Sequence, residues 1–362
     1  MTELQDGERE NASVHWLVLL GLTHPICRSE PSATVSGLGS LMNAMLLDQL
    51  WSRYNRREYQ EVVGSLRGKE KITESELVLR GQAFFQLGDD REAILDFGEA
   101  LKRNPMNLVA RSWRGLAHAR RGNHAAAAAD LAEKPFFFHS EFLFEFHRHF
   151  WPLRFQEPAL REVLPSTGET AKDPYDAEYH RVGENPGARK RLASKYFAVA
   201  RKYYMENRAH PLFVTACERS AELDPTQQYA SMMQMLGLMM RGKYAEAEEL
   251  MGGMVSERLE VYRTTKNRDD LPDREDLANW GMILHELEDF EGSLAIFADV
   301  VPGGPDDSFS HYFAALNWLM LGDLEKSRLN FQVMIERYMF DTWGVFIVPF
   351  KDQVVHWLKS KG

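Results

Sequence analysis

Apolar residues recur along this chain at spacings of three and four, which is the period of an α-helix with one buried face. Leu46, Leu50 and Tyr54 mark such a face, and a second one follows a polar break, over residues 59–66. The pattern predicts two consecutive helices that pack as a hairpin.

Residues 74–107 repeat this arrangement with clearer boundaries. We predict one helix over 74–87 and a second over 91–103. Gly88-Asp89 between them suits a helix end followed by a tight turn, and Pro105 stops the second helix. The segment therefore predicts a complete helical hairpin.

The hairpin recurs in the sequence at a spacing of 34 residues. In the N-terminal half Gly81, Gly88 and Phe97 recur as Gly115, Gly122 and Leu131, and in the C-terminal half Gly281, Ser293 and Phe297 recur as Ala315, Ser327 and Phe331. A fixed period of this length is typical of stacked helical hairpins. Glycine inside a helix costs about 1 kcal/mol relative to alanine. Its recurrence at one register therefore predicts that two helix backbones approach closely there.

The residues at these repeated positions resemble the tetratricopeptide repeat. The resemblance is carried by Leu77, Gly81, Phe84, Gly88, Ala93, Phe97, Ala100 and Pro105. Segments 108–134, 194–227, 228–261, 274–307 and 308–340 resemble it less completely. The resemblance implies an all-α fold: an α-solenoid of tetratricopeptide-like helical hairpins, in two blocks, with a terminal capping helix.

The repeats divide the chain into five segments. An aromatic stretch and then a segment rich in Pro, Gly and charge interrupt the register, and an apolar helix after the last repeat is expected to cover its open face. The segments are a flexible N-terminal segment (1–39), an N-terminal array (40–134), an aromatic helix and linker (135–193), a C-terminal array (194–341) and a capping helix (342–362).

Composition bears on the partners of the protein and on its cellular location. The net charge of -10 disfavours sequence-independent binding to nucleic acid, which needs an excess of Lys and Arg on at least one face. Cys27 and Cys217 cannot build a disulfide framework, and no apolar stretch approaches the length of a membrane span. We expect a cytoplasmic protein with no membrane association. A periplasmic or surface assembly factor of the same fold is the alternative address.

Chemistry-bearing motifs are scarce in the sequence. It has no phosphate-binding Gly-rich loop, no nucleophile elbow and no zinc-protease helix motif. The one histidine cluster comprises His139, His147 and His149. It leaves open an enzyme or metal-dependent factor built on the 139–149 segment. The prediction is nevertheless a protein that is not an enzyme, with no catalytic residue, metal ligand or cofactor.

The family resemblance implies a concave groove lined by the first helix of each repeat, and such grooves bind peptides. The charged clamp that captures chaperone C-termini in this family is absent. The predicted groove is apolar and consists of Tyr229, Met232, Leu236, Met239, Met282, Phe309, Tyr312 and Leu316. Because methionines adapt to varied partners, we expect an apolar segment of a partner protein in the groove.

Two other interpretations of these residues stay open. The methionines of 232–240 go all round a helix, so several of them belong to the core. The protein's own Trp16–Leu20 run or its C-terminal helix could fill the groove. The predicted function is a non-catalytic scaffold or adaptor for protein–protein interaction, of unknown oligomeric state.

Overall fold

The protein is entirely helical in the part that the structure describes. The structure, a computed structural model, describes residues 35–132, 139–161, 172–206, 210–226, 230–300, 308–338 and 347–362, and these contain no strand. The Trp16–Leu20 run and Cys27 lie outside the described residues.

The chain divides into two compact units, residues 1–62 and 63–362. The helices are α1 Val35–Asn55, α2 Tyr59–Leu66, α3 Glu74–Gln86, α4 Asp90–Arg103, α5 Leu108–Arg120, α6 His124–Leu131, α7 Ser140–Arg154, α8 Asp176–Tyr179, α9 Pro186–Glu206, α10 Pro211–Leu223, α11 Ala230–Met240, α12 Tyr244–Thr265, α13 Arg274–Glu286, α14 Phe290–Val300, α15 Ser308–Met320, α16 Leu324–Tyr338 and α17 Val348–Lys361. Short 3-10 turns lie at Pro158–Leu160 and Arg268–Asp270.

In the first unit, α1 is followed after a three-residue turn by the start of α2. Tyr54 is buried, and its ring meets Trp51 and Tyr59 edge to face at centroid distances of 5.6 and 5.1 Å. The apolar face predicted for 46–54 is therefore the face that α1 buries.

In the second unit, each predicted hairpin of residues 74–134 and 230–338 is present. Helices α3 and α4 begin and end within one residue of the prediction for 74–103. Thr73 caps α3 in a capping box with Glu76, which satisfies two backbone N–H groups of the first turn. The turn that follows needs a left-handed residue, and glycine supplies it at Gly88, Gly122, Gly242 and Gly322, with φ of +84, +77, +72 and +83°.

The helix crossings confirm the role predicted for the repeated small residues. A Cβ atom on Gly81 would lie 2.8 Å from Cε1 of Phe97, and one on Gly281 would lie 2.7 Å from Cζ of Phe297. Gly115 stands in the same relation to Leu131, at 2.9 Å from its Cγ. The bulky side chain of the second helix thus fills the space that a side chain on the first would need.

An ion pair repeats with the same period in the N-terminal block. Arg80 on α3 donates two hydrogen bonds of 2.7 Å to Asp96 on α4, and Arg114 on α5 donates the same pair to Asp130 on α6. Both carboxylates are largely buried. The pairs fix how the two helices of each hairpin are rotated against one another, because bidentate Arg–carboxylate bonds are directional.

The ends of the two repeat blocks meet at α7 and α17. On the N-terminal side α5 packs against α7 and α6 against α17, and on the C-terminal side α15 and α16 pack against α7. A terminal helix is present as predicted, but α6 is its principal helical neighbour rather than the last repeat. The physical reason is that α6 is only eight residues long. It therefore leaves an apolar alanine face that α17 covers, while α7 covers the last repeat.

Candidate functional site

The predicted groove residues lie largely in the core. Tyr312 and Leu316 have no exposed surface, and Leu236, Met239 and Met282 are between 4 and 8 % exposed. Met232 and Phe309 are half-buried. Tyr229 lies outside the described residues. Among the methionines of α11, Met233 and Met235 are also core residues, as their distribution round the helix requires.

Helix α7 is the most aromatic element of the junction. His139 precedes it, and its Nδ1 accepts a hydrogen bond from the backbone N–H of Glu141. The side chains that α7 buries completely are Phe142, Leu143, Phe144, Phe146, His147 and Phe150. They cover more than one face of the helix, so α7 is enclosed by neighbours and is not a surface helix.

A buried hydrogen bond joins α7 to the predicted groove residue Tyr312. His147 Nδ1 lies 2.8 Å from the carbonyl of Leu143, which can only accept, so this nitrogen carries the proton. The Tyr312 hydroxyl, 3.0 Å from Nε2, therefore donates to His147. Both ring nitrogens of His147 are thus used in internal hydrogen bonds.

A second hydrogen-bonded chain starts one helical turn further on. Trp151 Nε1 donates to His285 Nε2 at 3.0 Å, and His285 Nδ1 donates to Asn317 at 2.6 Å. Asn317 donates to the Ser293 hydroxyl at 2.8 Å, and this hydroxyl donates to the Gly281 carbonyl at 2.6 Å. This series of hydrogen bonds connects α7 with α13, α14 and α15.

Ion pairs flank these contacts at both ends of α7. Near its start, Glu141 accepts hydrogen bonds from Arg328 of α16 at 3.0 Å and from Gln86 of α3 at 3.3 Å. At its end, Arg154 donates to the buried carboxylate of Glu286. The helix is therefore bonded to the N-terminal block through Gln86 and to the C-terminal block through Arg328 and Glu286.

Burial keeps the two histidines and the tyrosine of these hydrogen-bonded contacts neutral. It lowers the pKa of His147 and that of His285 to about 4, so both are uncharged at neutral pH. Burial also raises the pKa of the Tyr312 hydroxyl, which stays protonated and able to donate. These states are the ones that the two hydrogen-bonded chains need.

The histidine cluster considered from sequence is dispersed by the fold. His139 caps the start of α7, and His147 is enclosed in its hydrogen bonds. His149 points elsewhere, and its ring lies 4.6 Å from that of Phe150. Within the described ranges, no group of three or more His, Cys, Asp or Glu side chains is placed to hold a metal ion.

Sequence reasoning missed His285, Asn317, Ser293 and Glu286 as partners of α7. The repeated serine at 293 and 327 was visible, but its role depends on Asn317, which the repeat pattern does not mark. The remaining signal was the run of aromatic residues over 142–151 in an otherwise polar interruption. Such a run indicates a buried segment without naming what buries it.

Comparison with protein families identifies helical repeats in part of the chain. Residues 78–134 match the model of the tetratricopeptide repeat family. No curated protein matches the sequence. None of the described helices has the length and apolar character needed to cross a membrane.

Three solved structures resemble the chain at low similarity. A tetratricopeptide repeat protein from Parabacteroides merdae has 12% identity and a TM-score of 0.31, covering 86% of this chain and 98% of its own. A thermophilic tetratricopeptide repeat protein from Thermus thermophilus has 15% identity and a TM-score of 0.23, covering 67% and 98%. Yeast Tom70 has 11% identity and a TM-score of 0.25, covering 88% and 96%.

The stacked hairpins, with small residues at the crossings and glycines in the turns, define a helical-repeat protein. The family model matched over 78–134 identifies tetratricopeptide repeats in that part of the chain. Proteins of this family are in general non-catalytic scaffolds that bind other proteins.

Proposed function

We propose that this protein is a non-catalytic scaffold that binds an apolar segment of a partner protein. The binding surface is the first-helix face, the side of the C-terminal repeats lined by α11, α13 and α15. The observation that carries the proposal is α7 itself. It lies against α13 and α15 through Trp151–His285 and His147–Tyr312, so these repeats already hold one helix of this chain.

The partner would contact the part of this face that α7 leaves accessible. Tyr312 and Leu316 are completely covered, whereas Met232 and Phe309 keep exposed surface. Met240 and Ala278 are half-buried beside the same core. An unbranched thioether side chain adapts to irregular apolar surfaces, which favours an apolar partner segment at Met232.

Site-specific photocrosslinking tests this surface. A photoreactive phenylalanine replaces Met232 in one variant and Phe309 in another, and the crosslinked proteins are identified by mass spectrometry. We expect one partner common to both positions, and we expect Met232→Glu to abolish binding of that purified partner, because a carboxylate in an apolar contact loses its hydration.

Gln234 supplies the matched control. It lies on the same helix and is exposed. A crosslinker at Gln234 should not capture the partner, and Gln234→Glu should bind it normally. Unchanged binding by Met232→Glu, with helical circular dichroism intact, would remove the first-helix face as the site.

The proposal includes a cytoplasmic location. Subcellular fractionation is expected to recover the protein with cytoplasmic markers. Recovery with periplasmic or surface markers would favour the assembly-factor alternative.

A further inference from the structure

Helix α9 carries a row of positive charge on a protein whose net charge is -10. Between Glu184 and Glu206 the sequence contains no acidic residue. The basic side chains exposed on α9 are Lys190, Arg191, Lys195, Arg201 and Lys202. We call these five residues the basic stripe.

The stripe follows one face of the helix. Its residues and the exposed Ser194 and Ala198 recur at spacings of three and four, whereas Leu192, Ala193, Tyr196 and Ala200 of the opposite face are buried. From Lys190 to Lys202 the stripe is about 18 Å long, at 1.5 Å per residue. It therefore forms a continuous cationic surface about three turns long.

Cations on neighbouring elements bond carboxylates, whereas three of the five residues of the stripe bond none among the described residues. Arg219 on α10 bonds Asp173 and Asp176, and Arg241 bonds Glu218. In the stripe Lys195 bonds Glu178 at 2.7 Å. Lys190, Arg191 and Arg201 form no ion pair with a carboxylate in the part of the chain that the structure describes.

We propose that the basic stripe docks an acidic segment of a partner protein. A short acidic helix of three turns matches the stripe in length and in sign of charge. The position of the stripe in the repeat also suits binding. Ala198 and Lys202 precede Met232 and Leu236 by one 34-residue repeat, so α9 corresponds to α11, the first helix of the next hairpin. The proposal stands on the stripe alone and does not require that Met232 bind anything.

A protein segment fits the surroundings of the stripe better than a nucleic acid does. Glu178 bonds Lys195 within the stripe, and Glu184 precedes the helix and is exposed. At physiological salt, charges interact over about 8 Å. A short acidic segment therefore meets only the stripe, whereas a longer polyanion also meets acidic surface.

Fluorescence anisotropy with a synthetic probe tests the proposal on the full chain. The probe is a labelled, C-terminally amidated 16-residue helical peptide with Glu along one face, so that no terminal carboxylate contributes. We expect the charge-reversal variant Lys190→Glu/Arg191→Glu/Arg201→Glu to bind about tenfold more weakly, because three charge contacts become repulsive. Wild-type binding should weaken as salt is raised.

A second triple variant controls for net charge. Arg67→Glu/Lys71→Glu/Arg91→Glu changes exposed cations by the same amount elsewhere in the chain. It should bind the acidic peptide like the wild type, and a peptide with Lys in place of Glu should not bind. Circular dichroism checks that both variants are folded.

Three results would overturn the proposal. The two triple variants could lose the same affinity, which would assign binding to net charge. A 16-nucleotide single-stranded RNA, or vesicles of anionic phospholipid, could bind more tightly than the peptide and lose that binding in the stripe variant. The acidic peptide could also bind the stripe variant as well as it binds the wild type. Met232→Glu is expected to keep binding of the acidic peptide. A negative result for the basic stripe is therefore distinguishable from a negative result for the first-helix face.

Discussion

At the scale of single residues, each of these hairpin turns needs one residue in the left-handed conformation, and different residue types supply it. Four of the turns between paired helices place glycine in the left-handed region, and the turn between α13 and α14 places Glu288 there, with φ of +65°. A side chain in that region costs about 1–2 kcal/mol because its Cβ crowds the following carbonyl. Glu288 thus occupies a position that glycine fills in four other turns, and Arg57 in the turn between α1 and α2 is a second exception, with φ of +64°.

We predict that Glu288→Gly stabilises the protein. The gain is expected to be about 0.5–1 kcal/mol, since relief of the left-handed strain exceeds the extra entropy of glycine in the unfolded chain. A higher urea midpoint would show it. The matched control is Gly322→Ala at the same turn position, which is expected to lower the midpoint; if Glu288→Gly lowers it too, the turn is not strained.

The buried histidines predict how stability depends on pH. His147 and His285 have pKa values of about 4 in the folded protein, against an ordinary value near 6.5. Between these values the unfolded chain binds protons that the folded chain does not, so the free energy of unfolding falls as pH is lowered from about 6.5 to 4. Each histidine contributes a slope of up to about 1.4 kcal/mol per pH unit.

Urea titrations at several pH values test this dependence. We expect His147→Gln to lose part of the slope between pH 6.5 and 4, because the proton that His147 takes up on unfolding is removed. An unchanged slope in His147→Gln would mean that His147 is not buried as a neutral group.

At the scale of elements, the helices were predictable and the neighbours of α7 were not. Helices α3 and α4 follow from local signals: a capping threonine, an apolar period, Gly88 and Pro105. The position of α7 depends on pairings such as Trp151 with His285, which lie 134 residues apart in the sequence. The apolar period predicts that a residue is buried, but it does not say which helix buries it. For that reason the predicted groove included Tyr312 and Leu316, which pack in the core.

We predict that Trp151→Phe weakens the attachment of α7. Phenylalanine keeps most of the apolar ring but cannot donate, which leaves Nε2 of the buried His285 without its partner. Loss of a buried hydrogen bond of this kind costs about 1–3 kcal/mol, measured as a lower urea midpoint. Trp318→Phe at a half-buried position is the control, expected to cost less than about 1 kcal/mol. Equal effects of the two substitutions would show that the hydrogen-bonded chain adds nothing.

At the scale of the second unit, α7 and α17 make the two repeat blocks depend on one another. Stability in repeat proteins passes between nearest neighbours. Here α7 packs against α5 of the N-terminal block and against α15 and α16 of the C-terminal block, while α17 packs against α6. Phe350 of α17 lies at the centre of this junction, with its ring 4.7 Å from Trp151 and 5.7 Å from Phe146. The interruption of the repeat register is therefore the structural connection between the blocks.

We predict that Phe350→Ala destabilises both repeat blocks at once. Removing a buried phenylalanine side chain costs about 3–5 kcal/mol. Amide hydrogen exchange should therefore lose protection in α5–α6 and in α15–α16 alike. The control is Leu259→Ala, in a separate cluster with Leu277 and Ile296, where loss of protection should be confined to α12–α14. If Phe350→Ala lowered protection in α15–α16 and left α5–α6 unchanged, the N-terminal block would be stable without the junction, and the contacts of α17 with α6 would carry no coupling between the blocks.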